Sequence, residues 1–153
     1  MNGGEALDAI PGFVESLLER LAARGIDASA MPVSHLCWRT VSPEAYRLAV
    51  AGFLPFAAET AEDDFAGRPI TLIALRDPIR VGGARVDLIE ICAPRVGHPY
   101  PEGWEHAGFS LGSDPVVFHA ANATALDGIK DRGLDVQSAY VTFPDGATAK
   151  FYG

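Results

Sequence analysis

Three side chains able to do chemistry stand among apolar neighbours in this sequence: His35, Glu90 and His106. His35 lies in Ser34-His35-Leu36-Cys37-Trp38-Arg39, and Glu90 in Asp87-Leu88-Ile89-Glu90-Ile91. His106 closes Pro99-Tyr100-Pro101-Glu102-Gly103-Trp104-Glu105-His106. An apolar strand does not accept such residues unless something satisfies them. Two imidazoles and a carboxylate are the ingredients of a mononuclear metal site with open positions. The competing account makes the histidines core residues bonded to backbone and pairs Glu90 with an inward Arg39. Two histidines at matching places, with Glu90 at a third, favour the metal.

Strand periodicity sorts the neighbours. Side chains alternate across a strand, so His35, Cys37 and Arg39 share one face while Leu36 and Trp38 share the other. Leu88, Glu90 and Cys92 likewise oppose Ile89 and Ile91. The same rule sets Trp104, His106, Gly108 and Ser110 against Ala107, Phe109 and Leu111, and Thr148, Lys150 and Tyr152 against Ala149 and Phe151. If the inner rows converge, His35, Glu90, His106 and Lys150 meet in one cleft.

In that cleft Arg39 could hold a substrate carboxylate in a bidentate fork. Trp104, Lys150 and Tyr152 complete the expected substrate pocket, and Glu90, Arg39 and Lys150 are the candidate catalytic groups. Lys150 reads first as a simple rim charge, with a substrate anchor or a general base of depressed pKa as the alternatives. Cys37 and Cys92 read as packed thiols on adjacent strands. His98 and His119 read as loop and surface residues.

The elements that must position these groups are legible in outline. Leu7, Ile10, Val14, Leu17, Leu18 and Leu21 recur at helical spacing and predict one amphipathic helix over 6–24, stopped by Gly25. Residues 33–41 read as a strand. Ser42 and Pro43 read as the N-cap and first position of a helix ending at Gly52. Extended segments follow at 56–61, 69–77 and 84–92, the last two joined at Gly82-Gly83. The second half repeats the order: a strand over 104–111, a helix from Asp114-Pro115 burying Phe118, Ala121, Ala125 and Ile129 and capped by Gly133, then a hairpin of 137–143 and 147–152.

Bulk composition narrows the function classes. The 153 residues carry 48% hydrophobic and 21% charged side chains, which suits one globular domain with a packed core. A net charge of −8 without a basic cluster argues against nucleic acid. No apolar run approaches the roughly 20 residues that span a bilayer. The N-terminus lacks a secretory pattern, and two cysteines are too few for a disulfide framework. The expectation is a cytoplasmic protein with reduced thiols, no membrane or nucleic-acid partner, and a small-molecule ligand.

The same residues resemble the YecM family, a branch of the vicinal oxygen chelate superfamily of glyoxalases, bleomycin-resistance proteins and extradiol dioxygenases. The matching segments are Ser34–Arg39, Gly67-Arg68-Pro69-Ile70, residues 84–94, Tyr100-Pro101-Glu102-Gly103-Trp104-Glu105-His106, and Asp145-Gly146 with Lys150-Phe151. The resemblance implies an α+β fold in which two βαβββ modules form a curved mixed sheet around a cleft, with an extra N-terminal helix. Module one covers about 33–94 and a shortened module two about 103–153 of a single domain. It further implies metal ligands on the first and last strands of each module, which correspond to His35, Glu90, His106 and Lys150. The lysine departs from the pattern, because an ammonium is not a ligand.

Two functions from different classes follow. One is a divalent-metal protein, binding Zn, Ni, Mn or Fe(II), that acts on a small carboxylate- or carbonyl-bearing substrate as an isomerase, lyase or dioxygenase. The other is a metal-free binding module using the same cleft. A third account is a scaffold whose cleft is closed by an Arg39–Glu90 pair. Open sheet edges would favour a homodimer.

Overall fold

Two short helices, α1 (Gly3–Asp8) and α2 (Ile10–Ala23), lead into two βαβββ modules in the computed structural model, which describes residues 1–65, 67–131 and 137–153. Module one contains β1 (Val33–Arg39), α3 (Pro43–Phe53), β2 (Ala57–Phe65), β3 (Arg68–Val81) and β4 (Ala84–Cys92). Module two contains β5 (Gly103–Ser110), α4 (Pro115–Ala121), β6 (Gly128–Asp131), β7 (Gln137–Thr142) and β8 (Thr148–Tyr152). All eight strands form one sheet in the order β2-β3-β4-β1-β5-β8-β7-β6. In each module the last strand lies parallel to the first, β4 to β1 and β8 to β5. The two first strands meet antiparallel at the centre. This is the expected α+β architecture.

Local chemistry explains most boundaries. The Ser42 hydroxyl accepts from the Ala45 amide at 3.0 Å and Pro43 occupies the first turn of α3. Asp114 caps α4 in the same way, accepting from Val116 at 2.8 Å. The single helix expected over 6–24 is divided instead. Pro11 stands in the first turn of α2, where its missing amide hydrogen costs nothing, and the chain breaks at Ala9. The periodic set Ile10, Val14, Leu17 and Leu21 is fully buried as expected.

Module two corrects the reading more sharply. α4 ends at Ala121, where the Asn122 side chain donates to the Phe118 carbonyl at 3.0 Å. Asn bonds readily to nearby backbone and favours helix ends. Ile129, expected on the helix, lies in β6, which supplies the module's second strand. Gly133, the expected cap, lies outside the described residues. In module one, β3 runs further than expected, with a register shift between Ala74 and Ile79 around Pro78, which has no donor for the ladder.

The outer row of the sheet is the core. Leu36, Ile89, Ile91, Ala107, Phe109, Ala149 and Phe151 have no exposure, and each large one is stabilised by about 1.5–3 kcal/mol on burial. Phe109 stacks on Phe151 at 5.6 Å, and Phe118 of α4 covers Phe151 at 4.8 Å. No helix among the described residues is long and apolar enough to cross a membrane.

The β1–β5 pairing carries two irregularities that matter for the site. Register shifts between Val33 and His35, and again between Cys37 and Trp38, the latter opposite His106 and Trp104. The extra residues are Ser34 on β1 and Glu105 on β5. A bulge turns the residues beyond it to the other face. Trp104 therefore faces away from His106, contrary to strict alternation. Its ring packs edge-on to Trp38 at 5.0 Å and near Phe53 at 5.8 Å, and its Nε1 donates to the Ala6 carbonyl at 2.8 Å.

Candidate metal centre

The inner row holds His35 on β1, Glu90 on β4, His106 on β5 and Lys150 on β8. One potential ligand atom from each of His35, Glu90 and His106 lies within 4.8 Å of the others. The two Nε2 atoms face each other at 3.3 Å, and the rings meet edge to face at 5.3 Å. Each outer nitrogen is held by the bulge residue just before it. Ser34 Oγ lies 3.0 Å from His35 Nδ1, and Glu105 Oε2 lies 3.2 Å from His106 Nδ1. An ionised carboxylate only accepts, so Glu105 fixes the proton on Nδ1 of neutral His106 and leaves the Nε2 lone pair inward. That is the oriented arrangement a metal-ligating histidine needs.

Gly108 makes the space for His35. A Cβ at this position would sit 2.5 Å from Ser34 Oγ and 2.6 Å from His35 Cε1. The pair His35 and Gly108 is also a register pair across the central seam.

Electrostatics keep the donor set in its ligating form. Burial pushes His106 down to about 4, with Lys150 acting in the same direction and the Glu105 contact opposing it. Burial also holds His35 below its ordinary value, against the pull of Glu90. Burial drives Glu90 up, but His35, His106, the Cys92 thiol and Lys150 together hold it below the usual carboxylate range. Near neutral pH the set is two neutral imidazoles and one carboxylate.

Two other donor groups overlap this one: Cys37, Glu105 and His106, and Cys37, Glu90 and Cys92. Burial raises the Cys37 thiol well above its ordinary value, and a protonated thiol is a poor ligand. Glu105 is already engaged by Arg39 and His106. The cysteines are packed thiols on adjacent strands, with their sulfurs 3.5 Å apart, and Cys92 Sγ donates to Glu90 Oε1 at 3.1 Å. The His35–Glu90–His106 set is the one with donors to spare.

Arg39 is buried, with 4% exposure, but its partner is Glu105 rather than Glu90. The Arg39–Glu90 pair of the scaffold account is replaced by this contact, which the bulge creates by turning Glu105 inward. Arg39, Arg68, Glu90, His106, Lys150 and Tyr152 line a cavity of about 180 Å³. The Tyr152 ring lies 5.7 Å from His35. Trp104 lines a neighbouring cavity of about 500 Å³ with Arg39, Glu105 and Tyr100. Sequence reasoning missed Ser34, Glu105, Arg68 and Gly108. The only signal for the first two is a polar residue directly before each histidine, and alternation assigned both to the outer face.

Paired βαβββ modules closing an inner-face cleft over two histidines and a carboxylate define an α+β cleft protein with a candidate metal centre. The chain belongs to the YecM family: the family model described as YecM protein matches residues 4–137. It is 28% identical over 130 residues to Protein YecM of Escherichia coli K12, an alignment covering 83% of this chain and 66% of the relative. An uncharacterised protein of Haemophilus influenzae is 32% identical over 103 residues, 66% of this chain and 53% of the relative. The chain thus spans about two thirds and about half of these two relatives. A solved structure described as Protein EC4020 superposes with a TM-score of 0.78 at 24% identity, covering 97% of this chain and 86% of that one. This likeness shows the fold.

Proposed function

We propose that the chain is a divalent-metal-binding protein of the vicinal oxygen chelate superfamily, acting on a small substrate that presents carboxylate or carbonyl oxygens. His35, Glu90 and His106 hold the ion. The observation that carries this reading is the 3.3 Å separation of the two histidine Nε2 atoms. Zinc–nitrogen bonds of about 2.0–2.1 Å at a tetrahedral angle put two imidazole nitrogens about 3.3 Å apart. Zn, Ni, Mn and Fe(II) all accept this donor set; bound there, such an ion supplies a Lewis acid for charge developing on substrate oxygens, and iron(II) adds oxygen chemistry.

The remaining groups have defined tasks. Glu105 holds the Nδ1 proton of His106 and so keeps its Nε2 directed inward. Arg39 orients a substrate carboxylate through donors that Glu105 leaves unused. Lys150, buried beside the set, lowers the energy of negative charge in the cleft. A second reading rests on that lysine. An ammonium at the fourth strand position does not ligate a metal, which favours a metal-free module that holds an anion without turning it over.

The test is the metal content of protein purified without a histidine tag, measured by elemental analysis beside His106→Ala. Near-stoichiometric divalent metal in the wild type and none in the variant supports the metal centre. A wild type that arrives empty and refuses zinc, nickel, manganese and iron(II) sinks it and leaves the binding module.

A further inference from the structure

Arg68, at the start of β3, is buried with 5% exposure although it is always charged at physiological pH. Its Nη1 donates to the Ala93 carbonyl at 2.9 Å, while its Nε is buried with no partner. Among the described residues no carboxylate lies within ion-pair distance of it. Arg39 is in a similar state on one side: Glu105 takes its Nε, and its Nη1 is buried with no partner. Both arginines line the cavity that holds Glu90, His106 and Lys150.

Two neighbouring buried guanidiniums with open donors are unfavourable unless an anion joins them. Burial lowers Arg68 from its ordinary value, and the charge of Arg39 adds to that effect. Among the described residues that line this cavity, Arg39, Arg68 and Lys150 stand with one carboxylate, Glu90. The cavity, at about 180 Å³, lies below the roughly 300–1,000 Å³ of sites for drug-sized ligands. A planar guanidinium edge matches a carboxylate in a bidentate fork.

We propose that Arg39 and Arg68 form an anion subsite in the cleft, and that the ligand is a small dicarboxylate with one carboxylate on the two guanidiniums and the other beside Lys150 and His106, which line the same cavity. This inference rests on the same cleft as the proposed metal centre, yet the subsite itself needs no metal. Arg68 is its specificity-determining residue.

Calorimetric titration of the full chain with malonate, succinate, acetate and inorganic phosphate tests it, in EDTA and again after zinc loading. The expected result is at least tenfold tighter binding of malonate or succinate than of acetate, already present in EDTA. Arg68→Gln should lose at least tenfold of that affinity, and Arg68→Lys should keep the fold and the charge while losing most of the preference. Equal binding of acetate and the dicarboxylates overturns the inference, as does phosphate binding tighter than both dicarboxylates, or an Arg68→Lys chain that binds like the wild type. Dicarboxylate binding without zinc uptake removes the metal centre and leaves the subsite. Zinc uptake without dicarboxylate preference does the reverse.

Discussion

His35 and His106 stand on the two central strands with their Nε2 atoms 3.3 Å apart, and the residue before each one bonds its Nδ1. The two halves of the molecule thus contribute the same device, a β-bulge whose side chain turns inward and orients the next histidine. In β1 the device is Ser34 and in β5 it is Glu105. The glutamate does more, because it also neutralises Arg39.

Glu105 and Glu90 should separate under mutation. Glu105→Gln leaves the buried Arg39 without its counter-charge, and should lower stability by about 3 kcal/mol. Glu90→Gln leaves the Arg39–Glu105 pair intact, and its main effect should be on metal uptake. Urea unfolding of both variants in EDTA decides this. Equal losses of stability would refute the assignment of Arg39 to Glu105.

Gly108→Ala tests the seat of His35. The added Cβ would meet Ser34 Oγ at 2.5 Å and the His35 ring at 2.6 Å, so the ring must move. Overpacking of this kind costs about 1–3 kcal/mol. Zinc affinity, measured by competition with a chromophoric chelator, should fall at least tenfold. An unchanged affinity would show that His35 is not a ligand.

Acid should destabilise the metal-free protein in a definite window. His106 is held at about 4 when folded, against 6.5 as its ordinary value. Between those values the unfolded chain binds the extra proton and the folded chain does not, so stability rises with pH there and is lost as pH falls. The difference corresponds to roughly 3 kcal/mol. His35, also lowered, adds to the loss with the same sign. Glu90 and Glu105 are held below their ordinary range when folded, so their contribution disappears only under stronger acid. Urea midpoints in EDTA should drop between pH 7 and 4.5, and His106→Gln should flatten that slope. A midpoint unchanged over this range would contradict a neutral buried His106.

Trp104→Phe should weaken the fold and spare the cleft. The change removes the bond from Nε1 to the Ala6 carbonyl, 2.8 Å long, that ties α1 to the sheet. It also thins the packing against Trp38 and Phe53. A loss of about 1–2 kcal/mol is expected from the bond and the packing together, with metal affinity unchanged. A fall in metal affinity without a fall in stability would return Trp104 to the ligand site.

Periodicity of two along the strands was enough to place His35, Glu90, His106 and Lys150 on inner rows and the apolar residues on outer ones, because that alternation is local and holds wherever no bulge interrupts the strand. Helix starts at Ser42 and Asp114 were legible for the same reason, since a cap acts within one turn. The run Phe118, Ala121, Ala125 and Ile129 misled because helical spacing persists past Asn122, where a side chain-to-backbone bond closes the helix and the strand order of module two takes Ile129.

By itself the sequence determined the element order of module one, the faces of the strand residues that no bulge displaces and the chemical types offered to the cleft. Only the tertiary structure decided which carboxylate serves Arg39, which way Trp104 points and that Arg68 enters the cavity. Those outcomes depend on an extra residue in one strand of a pair, and on which strands lie side by side. A bulge reverses the face of everything beyond it at little local energetic cost, so its position is set by packing across the seam rather than by any pattern along one strand.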